Sequence, residues 1–170
     1  IRDRGSIGFY GSTLNTRQYA TKGYLEKLIA QVFTGRERFE PGNPQEGYSP
    51  SPQERQSWLQ ISYMKEAYHT MGPKFTLGWM AEALYSSKNF SENYTATMMQ
   101  AGEFAPTPHS KLMYNEAFRA NQYVAAGIKP IYVLNDMFQF RTEFYGFTPI
   151  FPIKKNALNK ACLLYTSPSP

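Results

Sequence analysis

Apolar and polar positions alternate with a period of two along six runs of this chain. Successive side chains on a strand point to opposite faces, so each run predicts a β-strand with two unlike faces. The clearest is Met137 to Phe147. Phe138, Phe140, Thr142, Phe144 and Gly146 share one parity, while Gln139, Arg141, Glu143 and Tyr145 share the other. Lys74 to Tyr85 is as regular, with Phe75, Leu77, Trp79, Ala81, Ala83 and Tyr85 against Lys74, Thr76, Gly78, Met80 and Glu82. In Phe118 to Leu134, Val124, Ala126, Ile128, Pro130 and Tyr132 oppose Asn121, Tyr123, Gly127 and Lys129. Arg55 to Tyr68 sets Leu59, Ile61 and Tyr63 against Gln60, Ser62 and Glu66. Leu25 to about Arg38 and the Gly-rich Gly5 to Thr13, with Ile7 and Phe9 on one face, complete the set. Met80 to Leu84 and Glu116 to Ala126 have local helical character, but neither carries an apolar stripe at 3.6 spacing over three turns. No amphipathic helix is expected.

The connections separate two settings for these strands. Phe39 to Glu54 is long and polar and holds four of the twelve prolines. A tight turn follows around Thr70-Met71-Gly72-Pro73, then a long loop from Ser86 to Ala117, then a two-residue hairpin turn at Asn135-Asp136. Long and short connections thus alternate from the second strand onward, as in outer-membrane barrels with short turns at one rim and long loops at the other. The runs also exceed the ~5–6 residues usual for soluble strands and suit a tilted bilayer span. Phenylalanines would face lipid, and the charged parity would face a polar lumen. Trp58, Tyr68, Tyr85, Phe118, Tyr132 and Phe147, near strand ends, would form interfacial girdles or cap a soluble core.

Composition fits the barrel setting. Among 170 residues there are 13 Tyr and 12 Phe, yet the mean hydropathy is only −0.50, so aromatics rather than aliphatic runs carry the apolar character. No stretch approaches the ~18 consecutive apolar residues of a transmembrane helix, and barrel strands leave a far weaker hydropathy trace. A net charge of +5 raises the question of nucleic acid, but Lys27, Arg36, Arg38, Lys65, Lys74, Arg119, Lys129 and Arg141 are scattered without a basic cluster. No nucleic-acid partner is expected. The first residues, Ile1-Arg2-Asp3-Arg4, carry neither an initiator Met nor a signal peptide, and the expectation is an internal fragment of a longer protein. Residues 154–170 read as an irregular tail, of which 162–170, after Ala161, resembles translated sequencing-adapter text.

Catalytic chemistry has no motif here. Gly5-Ser6-Ile7-Gly8 and Gly11-Ser12-Thr13 lack the spacing of a nucleophile elbow, and no P-loop or dinucleotide fingerprint occurs. His69 and His109 have no partner at ligand spacing, and Cys162 is the only cysteine, so no metal, cofactor or catalytic residue is expected. Asn89-Phe-Ser91 and Asn93-Tyr-Thr95 match the glycosylation pattern at the level of chance. The residues with expected roles are structural. Glu66, Lys74, Glu82, Lys129, Arg141 and Glu143 would be lumen-facing charges, paired with one another because both signs are supplied. Leu59, Ile61, Phe75, Leu77, Trp79, Val124, Ile128, Phe138, Phe140 and Phe144 would face lipid.

Several collinear stretches carry a resemblance: Thr34 to Gly42, Leu77 to Phe90, Asn93 to Thr97, Phe104 to Ser110, Phe118 to Tyr123, Gly127 to Pro130 and Arg141 to Phe147. Over roughly residues 25 to 153 the chain resembles the C-terminal barrel region of bacterial patatin-like phospholipase family proteins of the outer membrane. The resemblance implies an all-β, antiparallel up-and-down transmembrane barrel. Residues 1–153 would supply about six strands of it, with the closing strands beyond this segment. It further implies a patatin-type hydrolase domain elsewhere in the parent protein, lying in the outer membrane of a Gram-negative bacterium. The barrel would be a non-catalytic anchor for that lipid acyl hydrolase. Outer-membrane lipid, the barrel-assembly machinery, the remaining strands and the hydrolase domain would be its partners. The alternative is a soluble all-β ligand- or glycan-binding module using exposed Tyr and Trp.

Overall fold

The computed structural model describes residues 2–16, 19–36, 55–88, 94–107, 109–135, 138–150, 153–155 and 161–163. The six runs become one antiparallel sheet. Its strands are β1 (Arg2–Ser12), β2 (Gly23–Arg36), β3 (Arg55–Thr70), β4 (Phe75–Ser86), β7 (Tyr123–Val133), β8 (Gln139–Arg141) and β9 (Phe144–Pro149); α1 (Tyr94–Gln100) and the separate pair β5 (Gly102–Glu103) and β6 (Arg119–Ala120) lie between β4 and β7, outside it. Sheet neighbours run β1-β2-β3-β4-β7-β8, with β9 also on β7, so consecutive long strands pair in a meander. The sheet is all-β and open: among the described residues β1 and β8–β9 are its edges and do not pair with each other.

The sixth run is split by a proline. Ile131 opposes Arg141 and Ile128 opposes Phe144, a single unbroken register. Between them Thr142 N donates to Pro130 O at 3.1 Å, but Pro130 has no N–H to return. One ladder bond is lost there, and β8 and β9 are two halves of one interrupted strand.

Short connections lie at one rim. Between β1 and β2, the Asn15 carboxamide accepts from Thr21 N at 3.0 Å and Lys22 N at 3.2 Å, closing the turn from within. Gly23 has φ +95°, and a Cβ there would collide with the Thr13 carbonyl, so only glycine fits. Between β3 and β4, Met71 N donates to Phe75 O at 2.9 Å. Between β7 and β8, Phe138 N donates to Asn135 O at 3.3 Å, consistent with two intervening residues. Asp136 and Met137 lie outside the described residues, as does the whole of the expected Phe39–Glu54 loop.

The long connection from β4 to β7 differs from expectation. It contains the seven-residue α1, the β5–β6 pair and two single-turn 3₁₀ segments, Ser110–Leu112 and Glu116–Phe118. This excursion folds onto one face of the sheet. Phe104 packs with Met80, Leu84, Ala120, Tyr123 and Ala125, and its ring stacks on Phe147 at 5.8 Å. The tail, expected to be irregular, forms a short antiparallel pair of β10 (Ile153–Lys155) with β11 (Ala161–Leu163). Ile153 packs with Met98 and Ala101 of the excursion.

Candidate functional site

Parity decides what each face of the sheet carries. The register stacks Glu66 beside Met80 and Gly127, and Lys129 beside Gly78 and Tyr68, so the inner face is the one bearing the expected charges. Glu66, Glu82, Lys129 and Arg141 lie on it, and Glu143 joins them from the break between β8 and β9. Lys74 lies in the exposed turn one residue before β4, where its carbonyl accepts from Val133 N of β7 at 2.8 Å.

The inner charges form a connected chain with tyrosines. Lys129 Nζ lies 2.6 Å from Glu66 Oε1 and is 4% exposed. Tyr68 OH donates to the same Glu66 oxygen and accepts from Arg141 Nη2 at 3.0 Å. Arg141 Nε donates to Glu143 Oε1 at 2.5 Å, and Tyr145 OH donates to Glu143 Oε2 at 2.6 Å. Arg141 Nη1 also donates to Ala20 O at 2.9 Å, reaching from β8 to the turn between β1 and β2. That reach across three strand steps to Tyr68 requires the sheet to curl, with this face concave. Glu82 accepts from Tyr123 OH at 2.6 Å instead of from a cation. Charges withdrawn from water need partners, and this arrangement supplies them.

The excursion adds members that periodicity did not reveal. Glu103 pairs with Arg119, and Arg119 Nη1 also donates to the carbonyls of Met98, Met99 and Ala101, each at 3.4 Å. Between the excursion and the wall lies a cavity of about 710 Å³. The wall contributes Lys27, Glu66, Glu82, Lys129, Arg141 and Glu143, and the excursion contributes Glu103, Thr107 and Lys111. Tyr68, Tyr123 and Tyr145 share parity with the charges they bind, so their role was readable; the docking of Phe104 and Glu103 had no local signal.

The opposite face is largely apolar and open. All ten residues expected to face lipid lie on it: Leu59 and Ile61 on β3, Phe75, Leu77 and Trp79 on β4, Val124 and Ile128 on β7, Phe140 and Phe144 on β8–β9, and Phe138 just before β8. Phe138, Phe140 and Phe144 are 63%, 66% and 57% exposed, against 4% for the inner Lys129. A cation is covered while phenylalanines are open, the inverse of an ordinary soluble sheet. The girdle residues divide between the faces. Tyr85 and Tyr132 are outside, but Trp58 is buried inside, stacked on Phe33 at 5.1 Å, and Tyr68 and Phe147 also point inward. Phe118 packs edge-on against Phe147.

Among the described residues no group of three or more His, Cys, Asp or Glu could hold a metal ion. His69 and His109 are both exposed, one on β3 and one in the excursion. No described helix is long and apolar enough to cross a membrane. Comparison with protein-family models, with curated proteins and with solved structures gives no match.

Proposed function

We propose that this chain is part of the wall of an outer-membrane β-barrel that anchors a patatin-like lipid acyl hydrolase and is itself non-catalytic. One observation carries the membrane half of the reading: a curled antiparallel sheet buries its charges on the concave face and leaves a broad aromatic and aliphatic face open. That inversion is what a lipid-exposed barrel wall requires, with polar groups satisfied inside. Further strands of the parent would pair the edges at β1 and β8–β9 and close the barrel. The hydrolase half rests on the resemblance over roughly residues 25 to 153. A soluble glycan-binding module draws less support, since Trp58 lies under Phe33 instead of presenting its face to a sugar.

A parity test addresses the reading directly. In the intact protein, Phe140→Asp or Phe144→Asp should abolish heat-modifiable, protease-resistant assembly in outer-membrane fractions, because each places a charge on the open apolar face. Gln139→Asp, one residue away on the other parity, should assemble. Equal tolerance at both parities would sink the proposal.

A further inference from the structure

The outer face is bordered by polar residues, and both borders run obliquely to the strands. At the long-loop rim, Asp3, Thr34 and Ser57 form one polar row across β1, β2 and β3. On β9 the last outer polar residue is Thr148, with the exposed Ile150 just past the strand end; Thr148 shares its row with Leu28, six residues below Thr34 on β2. Four strand-to-strand steps separate β2 from β9. At ~3.3 Å per residue and ~4.8 Å per step, the border descends about 20 Å over about 19 Å, a slope of about 45°. The short-turn border slants the same way. On β2 and β3 the aliphatic run is interrupted at Glu26 and Lys65, with Tyr24 and Ala67 beyond them; the charged atoms lie 3.8 Å apart, and Tyr63 OH donates to Glu26 at 2.7 Å. On β7 and β8 apolar positions continue well below that row, through Tyr132 and Phe140 to Phe138.

We propose that this oblique belt is the surface that meets the hydrocarbon of a phospholipid bilayer, that the strands cross it at about 45°, and that the Glu26–Lys65–Tyr63 cluster lies at headgroup level on the short-turn side. The inference rests on the barrel-wall reading and adds to it a depth for each outer residue. Barrel strands tilt by about 35–45°, so a belt level with the membrane must slant across them by that angle. A patch shaped for a protein partner has no reason to do so at both borders. The position of Lys65 agrees, because a lysine costs ~2–4 kcal/mol at the bilayer midplane and ~0–1 near the interface. Tyr63 and the Glu26 carboxylate satisfy its surroundings at the boundary.

The test is nitroxide depth measurement on the intact protein reconstituted in phosphatidylcholine–phosphatidylglycerol vesicles, in a Cys162→Ser background. Single labels replace Lys65, Ala126 and Gly146 (K65C, A126C, G146C), which share one row through Ala81. A Cβ at Gly146 meets nothing within 4 Å, so that label is accommodated. Should K65C fail to assemble, A81C supplies the same row one step along. Two and three strand steps at this tilt predict labels about 7 Å and about 10 Å farther from the short-turn leaflet than position 65. Three equal depths, or a gradient of opposite sign, would overturn the tilted belt while leaving a lipid-facing wall. Absence of lipid contact at every position would instead refute the barrel reading.

Discussion

The Lys129–Glu66 pair offers the sharpest perturbation of the inner wall. Lys129 is 4% exposed and Glu66 13%, with 2.6 Å between the charged atoms, so both charges are largely withdrawn from water. Removing one partner of such a pair leaves the other buried and uncompensated, at a cost of about 3–5 kcal/mol. Glu66→Gln should approach that range, because the amide keeps the volume and can still accept from Tyr68 but offers Lys129 no charge. Lys129→Met removes the cation and leaves Glu66 with the Tyr68 hydroxyl alone. The double substitution replaces the pair by neutral groups of similar size and should sit within about 1–2 kcal/mol of the parent protein, since neutral replacement of a buried pair is often tolerated. The cycle then yields a coupling of at least ~2 kcal/mol. Urea titration of the intact protein, followed by electrophoretic mobility of the folded form, measures all four corners. A double mutant whose loss equals the sum of the single losses would refute mutual dependence and reduce the network to independent contacts.

Three further outcomes are expected. Phe104→Ala should cost about 3–5 kcal/mol, the range for truncating a buried phenylalanine, and should expose residues 87–122 to limited proteolysis ahead of the sheet; unchanged cleavage there would show that Phe104 does not hold the excursion. Gly78→Ala should destabilise by about 1–3 kcal/mol, the cost of overpacking, because its Cβ would lie 2.6 Å from the Tyr68 ring and 3.2 Å from Lys129 Cβ. Gly146→Ala should change stability by less than about 1 kcal/mol, in the stabilising direction, because its Cβ meets open space; urea midpoints of the two glycine variants test the contrast.

The sheet was legible because it is built from period-two alternation, the one signal a single sequence carries strongly. Period-two parity sets Glu66, Glu82, Lys129, Arg141 and Glu143 on one face and Phe140, Phe144, Val124 and Ile128 on the other. Lys74 lies just outside β4 in an exposed turn, though its carbonyl still accepts from Val133 N. The split in the last strand was also within reach. Pro130 sits in the middle of β7, where a missing N–H must cost the neighbouring strand a bond. Trp58 and Phe147 were assigned by nearness to strand ends, but their parity already placed them with Gln60 and Tyr145 on the inner face. The excursion was illegible for a different reason. Its seven-residue helix is too short for a periodic stripe, and its anchor, Phe104, is defined only by contacts with residues distant in sequence.

A single sheet has two faces to protect, and this chain protects one. The excursion covers part of the concave face, where charges and tyrosines satisfy one another around Phe104. Nothing among the described residues plays that part outside. Val124, Ile128, Phe138, Phe140 and Phe144 are each between 49% and 66% exposed. Fully burying such a side chain contributes ~1.5–3 kcal/mol, so covering the exposed half of these five is worth on the order of 5 kcal/mol. That is comparable to the ~5–15 kcal/mol stability of a whole domain. An apolar face of this size is what the proposed bilayer setting would cover. On that proposal a bilayer would cover the whole belt, whereas a compact protein partner would cover a patch of it, and the depth gradient across Lys65, Ala126 and Gly146 separates the two.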